Sequence, residues 1–260
     1  TSFLPPASVS TALSTAYQGT SSGSSAVYFP LDSAFTTLES SALTITMSGN
    51  YFGNTLSLTR TSAPIGGPQN FDGRAAIASS FSGSLPSLGN TGHLSTSTSY
   101  FSAAPYKRLG DVGPNWYTVY SNQIPLPSKA TIGTSGSFNT GTEYADATRA
   151  TVLSTFVETW SLAAGTAPGT AKLCVHTTTK LPSGTAAPTV SSVCVTTDTA
   201  GNVLQLQSIG SLDGTVLTLT STSIASPPPV VVSTLPVSGA VEIGTAAPVM
   251  VTFNKPIDPR

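Results

Sequence analysis

Apolar and polar positions alternate most regularly between residues 151 and 222. Segments 152–162, 172–179, 190–198, 203–209 and 215–222 are each rich in Val, Leu, Thr or aromatic side chains. Between them lie Gly-Thr-Ala-Pro-Gly, Leu-Pro-Ser-Gly, Thr-Ala-Gly-Asn and Leu-Asp-Gly. A period of two broken by such residues predicts strands joined by turns, so this region reads as an antiparallel meander. Earlier in the chain, 41–47 and 51–60 flank Ser48-Gly49-Asn50 and predict a hairpin turning there. Ile65-Gly66-Gly67-Pro68 breaks the pattern, 71–81 is a further strand, and the Gly/Ser-rich stretch 82–92 is a loop ending at His93. Trp116-Tyr117-Thr118-Val119-Tyr120 is the most aromatic strand candidate. Strand alternation sends Trp116, Thr118 and Tyr120 to one face and Tyr117 and Val119 to the other. Ile124-Pro125-Leu126-Pro127 ends that strand, because proline cannot donate to a ladder, and 131–141 reads as a Gly/Ser/Thr-rich connection.

The expected fold class is therefore all-β, an antiparallel sandwich or meander. Residues 1–25, dominated by Ser, Thr, Ala, Gly and Pro, read as a leader or linker. Residues 26–223 form the β-rich domain, with room for two subdomains split near residue 110. The Pro-rich stretch 224–229, with Ser226-Pro227-Pro228-Pro229, is a stiff spacer, and 230–260 begins a second module.

That second module reads Val231-Val232-Ser233-Thr234-Leu235-Pro236-Val237-Ser238-Gly239-Ala240, and later Thr252-Phe253-Asn254-Lys255-Pro256-Ile257-Asp258-Pro259. It resembles the opening of the SbsA-type bacterial Ig-like domains, whose first strands commonly read V-x-S-x-x-P-x-x-G-A-x-x-V and then F-x-K/E-P-h-D-P, with h apolar. The resemblance covers about residues 228–260 and implies the first strands of an Ig-like β-sandwich. Only about two of the roughly seven strands such a sandwich needs are present. Two strands alone are marginal in water, so the expectation is that the reading frame continues past Arg260. The other reading is strand complementation between subunits, hence a filament or layer.

Charge changes the picture more than length does. Charged residues are 8% of the chain, the net charge is -1, and about three residues in ten are Ser or Thr, so hydroxyls solvate the surface. A phosphate-binding face needs clustered cations. Lys107-Arg108 is the only adjacent basic pair and reads as part of a solvated loop, so no nucleic-acid partner is expected. No apolar run reaches the roughly 20 residues of a membrane helix, and no aromatic girdles mark an outer-membrane barrel. Any signal sequence is expected to have been removed already.

The only cysteines, Cys174 and Cys194, lie on neighbouring predicted strands, each facing away from its apolar neighbours. A disulfide between them, in an oxidising compartment, is the expectation. His176 gives Cys-x-His without a fourth ligand, so no metal is expected. Gly19-Thr20-Ser21-Ser22-Gly23 matches a nucleophile elbow in letters but lacks its strand and helix. Glu143, Asp146 and Glu158 are the densest acidic group, with Arg149 among them, and read as surface charge pairing. No catalytic residue, no cofactor and no enzymatic activity are expected.

The expected role is a secreted or cell-surface structural or adhesive protein, a module of a larger surface protein or a subunit of a polymer. Its partners would be itself, other surface proteins or a glycan. The alternative is a carbohydrate-binding module using Trp116, Tyr117 and Tyr120, since an aromatic row can stack on sugar rings. Threonine rows such as Thr44/Thr46 and Thr218/Thr220 raise ice-surface binding as a third reading, against which the irregular strand spacing argues.

Overall fold

A computed structural model describes residues 26–84, 93–103, 106–182, 187–212, 215–225, 231–235 and 250–253. The leader, its Gly19–Gly23 motif, residues 226–229 of the Pro-rich spacer and most of the Ig-like resemblance lie outside the described residues, whereas Ile224 and Ala225, assigned to that spacer, are strand residues paired with Ile45 and Thr44.

Twelve strands follow one another around a closed barrel. They are β1 (Leu43–Tyr51), β2 (Asn54–Phe71), β3 (Arg74–Ser84), β4 (His93–Phe101), β5 (Arg108–Gly113) and β6 (Trp116–Ser121), then β7 (Ser135–Tyr144), β8 (Val152–Ala164), β9 (Thr170–Lys180), β10 (Thr189–Asp198), β11 (Val203–Leu212) and β12 (Thr215–Ala225). Each pairs antiparallel with the next, and β12 returns to β1 with Ala225 opposite Thr44 and Thr220 opposite Ser48. The all-β expectation holds, but the sandwich or open meander does not. Closure leaves neither β1 nor β12 with a free edge, the costliest part of an open sheet. Residue 110 lies within β5, which is bonded to a strand on either side. A separate antiparallel pair, β13 (Val231–Leu235) and β14 (Met250–Phe253), follows the barrel.

Alternation decides which way the barrel faces. Along β8, Ser154, Phe156, Glu158, Trp160 and Leu162 are buried while Thr155, Val157 and Thr159 between them are exposed. The same rule turns Ile45, Met47, Leu173, Val175 and Val195 inward and leaves Thr44, Thr46, His176 and Thr178 outside. Leu43, Ile45, Met47, Leu56, Val195, Leu206 and Leu219 fill one side of the lumen. Membrane-spanning barrels carry an apolar band outside and a polar interior; here one side of the lumen is aliphatic, and Thr44, Thr46 and Thr178 lie among the outward positions. No helix among the described residues is long and apolar enough to cross a membrane.

The helix α1 (Leu31–Ser40) is absent from the sequence expectation, although its signal is present. Leu31, Ala34, Phe35 and Leu38 are buried and fall at i, i+3, i+4 and i+7, one face of a helix. In an up-and-down barrel alternate loops share an end. The amide of Asp32 donates to the carbonyl of Pro127 in the β6–β7 connection, and Pro30 and Ser33 lie against Gly201 of the β10–β11 turn. Both connections belong to the end at which β1 begins, so α1 plugs that end. Phe35 meets Phe138 edge-on at 5.3 Å, and Leu38 joins the aliphatic side.

Two local expectations shift. The first hairpin turns at Phe52-Gly53 instead of Ser48-Gly49-Asn50, with Phe52 and Gly53 both at positive φ (48° and 80°), and Asn50 Oδ1 accepts the Gly53 amide at 2.9 Å. Gly49 is an interior residue of β1, where any Cβ would sit 2.2 Å from the carbonyl oxygen of Thr218. The 131–141 connection is largely β7, whose glycines accommodate rings from β8. Gly136 pairs with Trp160 and Gly141 with Phe156, each aromatic lying over the glycine opposite.

The Ile65–Pro68 break is a slip of register within one long hairpin, between Ile65 and Gln69. Beyond it the β2–β3 tip folds onto the outer face of the barrel. Phe71 stacks on Tyr117 at 5.3 Å and lies 5.0 Å from Tyr100, directly over Gly110. Tyr117 donates to Asp72 Oδ1 at 2.6 Å, and Arg149 pairs with Asp72 while covering the Tyr117 ring.

Candidate binding site

The side of the lumen opposite the aliphatic cluster is polar. Residues from β5 to β9 meet there because inward positions on adjacent strands stand side by side. Arg108 and Asp111 come from β5, Trp116, Thr118 and Tyr120 from β6, Asn139 and Glu143 from β7, Ser154, Phe156 and Glu158 from β8, and Thr177 and Thr179 from β9. Lys107-Arg108 is thus no solvated loop: the Arg108 side chain is 18% exposed and faces Asp111 Oδ2 at 3.4 Å and Glu158 Oε1 at 3.6 Å. Nor is Glu158 a surface charge. It is 5% exposed, accepting from Asn139 Nδ2 at 2.8 Å and from the Thr177 hydroxyl at 3.3 Å.

This network spreads one positive charge between two carboxylates and a ring. Arg108 lies over Tyr120 at 4.7 Å, and Tyr120 donates its hydroxyl to Asp111 Oδ2 at 2.8 Å. Burial works against the Arg108 charge, but its interactions with Tyr120, Asp111, Glu39 and Glu158 outweigh it and hold its pKa well above the ordinary value. Burial pushes the Tyr120 phenol well up despite Arg108, so it stays a hydrogen-bond donor. Toward the plug, Arg60 faces Glu39 of α1 at 3.7 Å and lies over Phe81 at 4.5 Å.

Two adjoining cavities open along this network. One, of about 270 Å³, is walled by Trp116, Thr118, Glu143, Ser154, Phe156 and Thr179; the other, of about 290 Å³, reaches the plug at Phe35 and Glu39. They share Asp111, Trp116, Glu158 and Thr177. Glu143, Ser154 and Thr179 sit near the strand ends opposite α1, which places the entrance at the unplugged end. Partial burial there raises the Glu143 carboxyl above its ordinary pKa. Two buried polar atoms at the centre, Asp111 Oδ1 and Arg108 Nε, have no protein hydrogen-bond partner.

The aromatic strand splits as alternation dictates. Trp116 and Tyr120 face the cavities, whereas Tyr117 belongs to the outer clamp with Phe71, so the three do not share a surface. Trp116 lies against Gly113 directly opposite, where a Cβ would approach the indole to 2.2 Å. Cys174 and Cys194 form a disulfide between β9 and β10 on the outer face. Next to it, His176 hydrogen-bonds Ser161 at 3.0 Å and Ser192 at 2.8 Å, one hydroxyl on each neighbouring strand. Asp146 is exposed and its carboxyl is lowered by hydrogen bonds from Thr148. His93 is the first residue of β4. Among the described residues no group of three or more His, Cys, Asp or Glu side chains could hold a metal ion.

The lumenal network joins residues up to 69 positions apart, from Arg108 to Thr177, and no local motif announces it. The available signal was the phase of β8, in which Glu158 falls on the same face as Phe156 and Trp160. Comparison with protein-family models, curated proteins and solved structures found no match to this chain.

Proposed function

We propose that this chain is a secreted or cell-surface structural module, part of a larger surface protein or of a surface polymer. The observation that carries the reading is the hydroxyl-rich outer face of a barrel without free edges, stapled on that same face by a disulfide. Threonine and serine rows present polar side chains to water, closure removes the unpaired strands through which sheets aggregate, and a disulfide persists in oxidising compartments. The Ig-like resemblance after the barrel fits a chain of β modules. Fractionation of the native source with thiol titration of the denatured, unreduced protein tests this: extracellular or surface material with no reactive thiol is expected. Cytosolic material with two free thiols per chain contradicts it. Electron microscopy of the same material separates monomers from polymers.

A second reading, a carbohydrate-binding module, is favoured by one observation: Trp116 and Tyr120 line an open polar cavity. The binding surface would be the lumen, with Tyr117 taking no part. Glycan binding lost in Trp116→Ala, with the fold retained, supports it.

A further inference from the structure

We propose that the lumen is a binding site for one small, neutral, polyhydroxylated molecule of sugar or polyol size, held at Asp111, Arg108 and Glu143 against the Trp116 ring. This rests on the carbohydrate reading and narrows it from glycan chains to a single enclosed ring. Three observations converge. The two cavities, about 270 and 290 Å³, fall just below the roughly 300 Å³ at which drug-sized pockets begin, which suits a small ligand. Asp111, 6% exposed and with Oδ1 unpartnered, lies in their shared wall, and Arg108, with an unpartnered Nε, lines the cavity nearer the plug. Buried polar atoms without partners are rare in folded proteins and ask for a bound group.

The chemistry of those atoms selects the ligand class. Asp111 Oδ1 and Glu143 accept hydrogen bonds, whereas Arg108 Nε donates one. A hydroxyl does both, so a molecule with several hydroxyls that lies at Asp111 and Trp116, where the two cavities meet, can offer one to Arg108 on one side and one to Glu143 on the other, with a C–H face against the indole. An anion would meet Asp111, Glu143 and Glu158. A cation placed on Asp111 would sit against the Arg108 guanidinium, which Asp111 and Glu158 already flank. A neutral polyol avoids both conflicts.

The test titrates the intact chain with free glucose, galactose, mannose, N-acetylglucosamine and glycerol, with choline and acetate as charged probes, read by ligand-observed NMR and calorimetry. Saturable binding of at least one neutral probe is expected. It should weaken roughly tenfold or more in Asp111→Asn and in Trp116→Ala, and stay unchanged in the outer-face variant Thr178→Ala. Glu143→Gln and Ser154→Ala, at the entrance, alter binding without touching the buried charge network and settle the matter if Asp111→Asn does not fold. Binding of choline or acetate alone, or no saturable binding by any probe, overturns the proposal. An immobilised glycan chain retained by the wild type and lost in Trp116→Ala, with no free sugar or polyol bound, also overturns it, while leaving the broader carbohydrate reading intact.

Discussion

At the residue scale, Arg108 determines what the lumen can be. A guanidinium shared by two buried carboxylates is costly to orphan, because removing it leaves uncompensated charge in a low-dielectric interior. Arg108→Met should lower stability by about 3–5 kcal/mol in urea or guanidinium unfolding. Adding Asp111→Leu and Glu158→Leu should restore much of that loss, since the orphaned charges are then gone. If the single substitution costs nothing, the three side chains do not form the network described. Asp198 gives a separate, pH-dependent prediction. Burial would raise its pKa, but hydrogen bonds from Asn202 and Ala200 outweigh this and lower it. Its contribution is therefore present above the carboxylate's unfolded pKa and lost as pH falls through the lower, folded value. Asp198→Ala should unfold at a lower temperature than the wild type at neutral pH, and the gap should narrow in strong acid. Neither Arg108 nor Asp198 stands out in the sequence. A lone basic pair has the same letters whether it lies in a loop or in a lumen, and only the facing strands distinguish the two.

At the scale of elements, strands β8 to β12 were legible because each carries its own alternation and turn signals. Their observed limits differ from the expected ones by three residues at most. β7 was obscured by Gly136 and Gly141, which lower strand propensity when taken alone and make sense only beneath Trp160 and Phe156. The helix α1 was hidden by brevity: ten residues with four apolar positions look like general apolar content until the barrel supplies something to plug. The folded-back β2–β3 tip predicts a sharp steric effect. A Cβ on Gly110 would lie 1.8 Å from Phe71 Cζ and 2.5 Å from the carbonyl oxygen of Thr118, so Gly110→Ala should cost about 1–3 kcal/mol by denaturant unfolding. Phe71→Ala/Gly110→Ala should lose less than the sum of the two single changes, because the clash with the ring disappears and only the approach to the Thr118 carbonyl remains. The disulfide acts on a comparable scale. It closes a span of 20 residues, and Cys174→Ala/Cys194→Ala should remove about 3 kcal/mol in the chain-entropy model, with the barrel still formed.

For the whole molecule, closure is the feature the sequence could not convey, because pairing between the first and last strands is the least local contact in the barrel. Alternation along each strand specifies two faces but not whether the sheet curls upon itself. What decides it here is volume: the inward residues of twelve strands, with α1 across one end, fill one side of a lumen and leave a polar cavity on the other. The outward hydroxyls then meet water, and the disulfide, the clamp of Phe71 and the proposed role at a cell surface all follow from that orientation. Amide hydrogen exchange of the intact protein in detergent-free buffer tests this most directly, read by mass spectrometry over Leu43–Tyr51 and Thr215–Ala225. A closed, water-facing barrel predicts a dispersed protein in which β1 and β12 are protected as strongly as the central strands β8 and β9. Fast exchange confined to β1 and β12, or a protein that stays dispersed only in detergent, would contradict it.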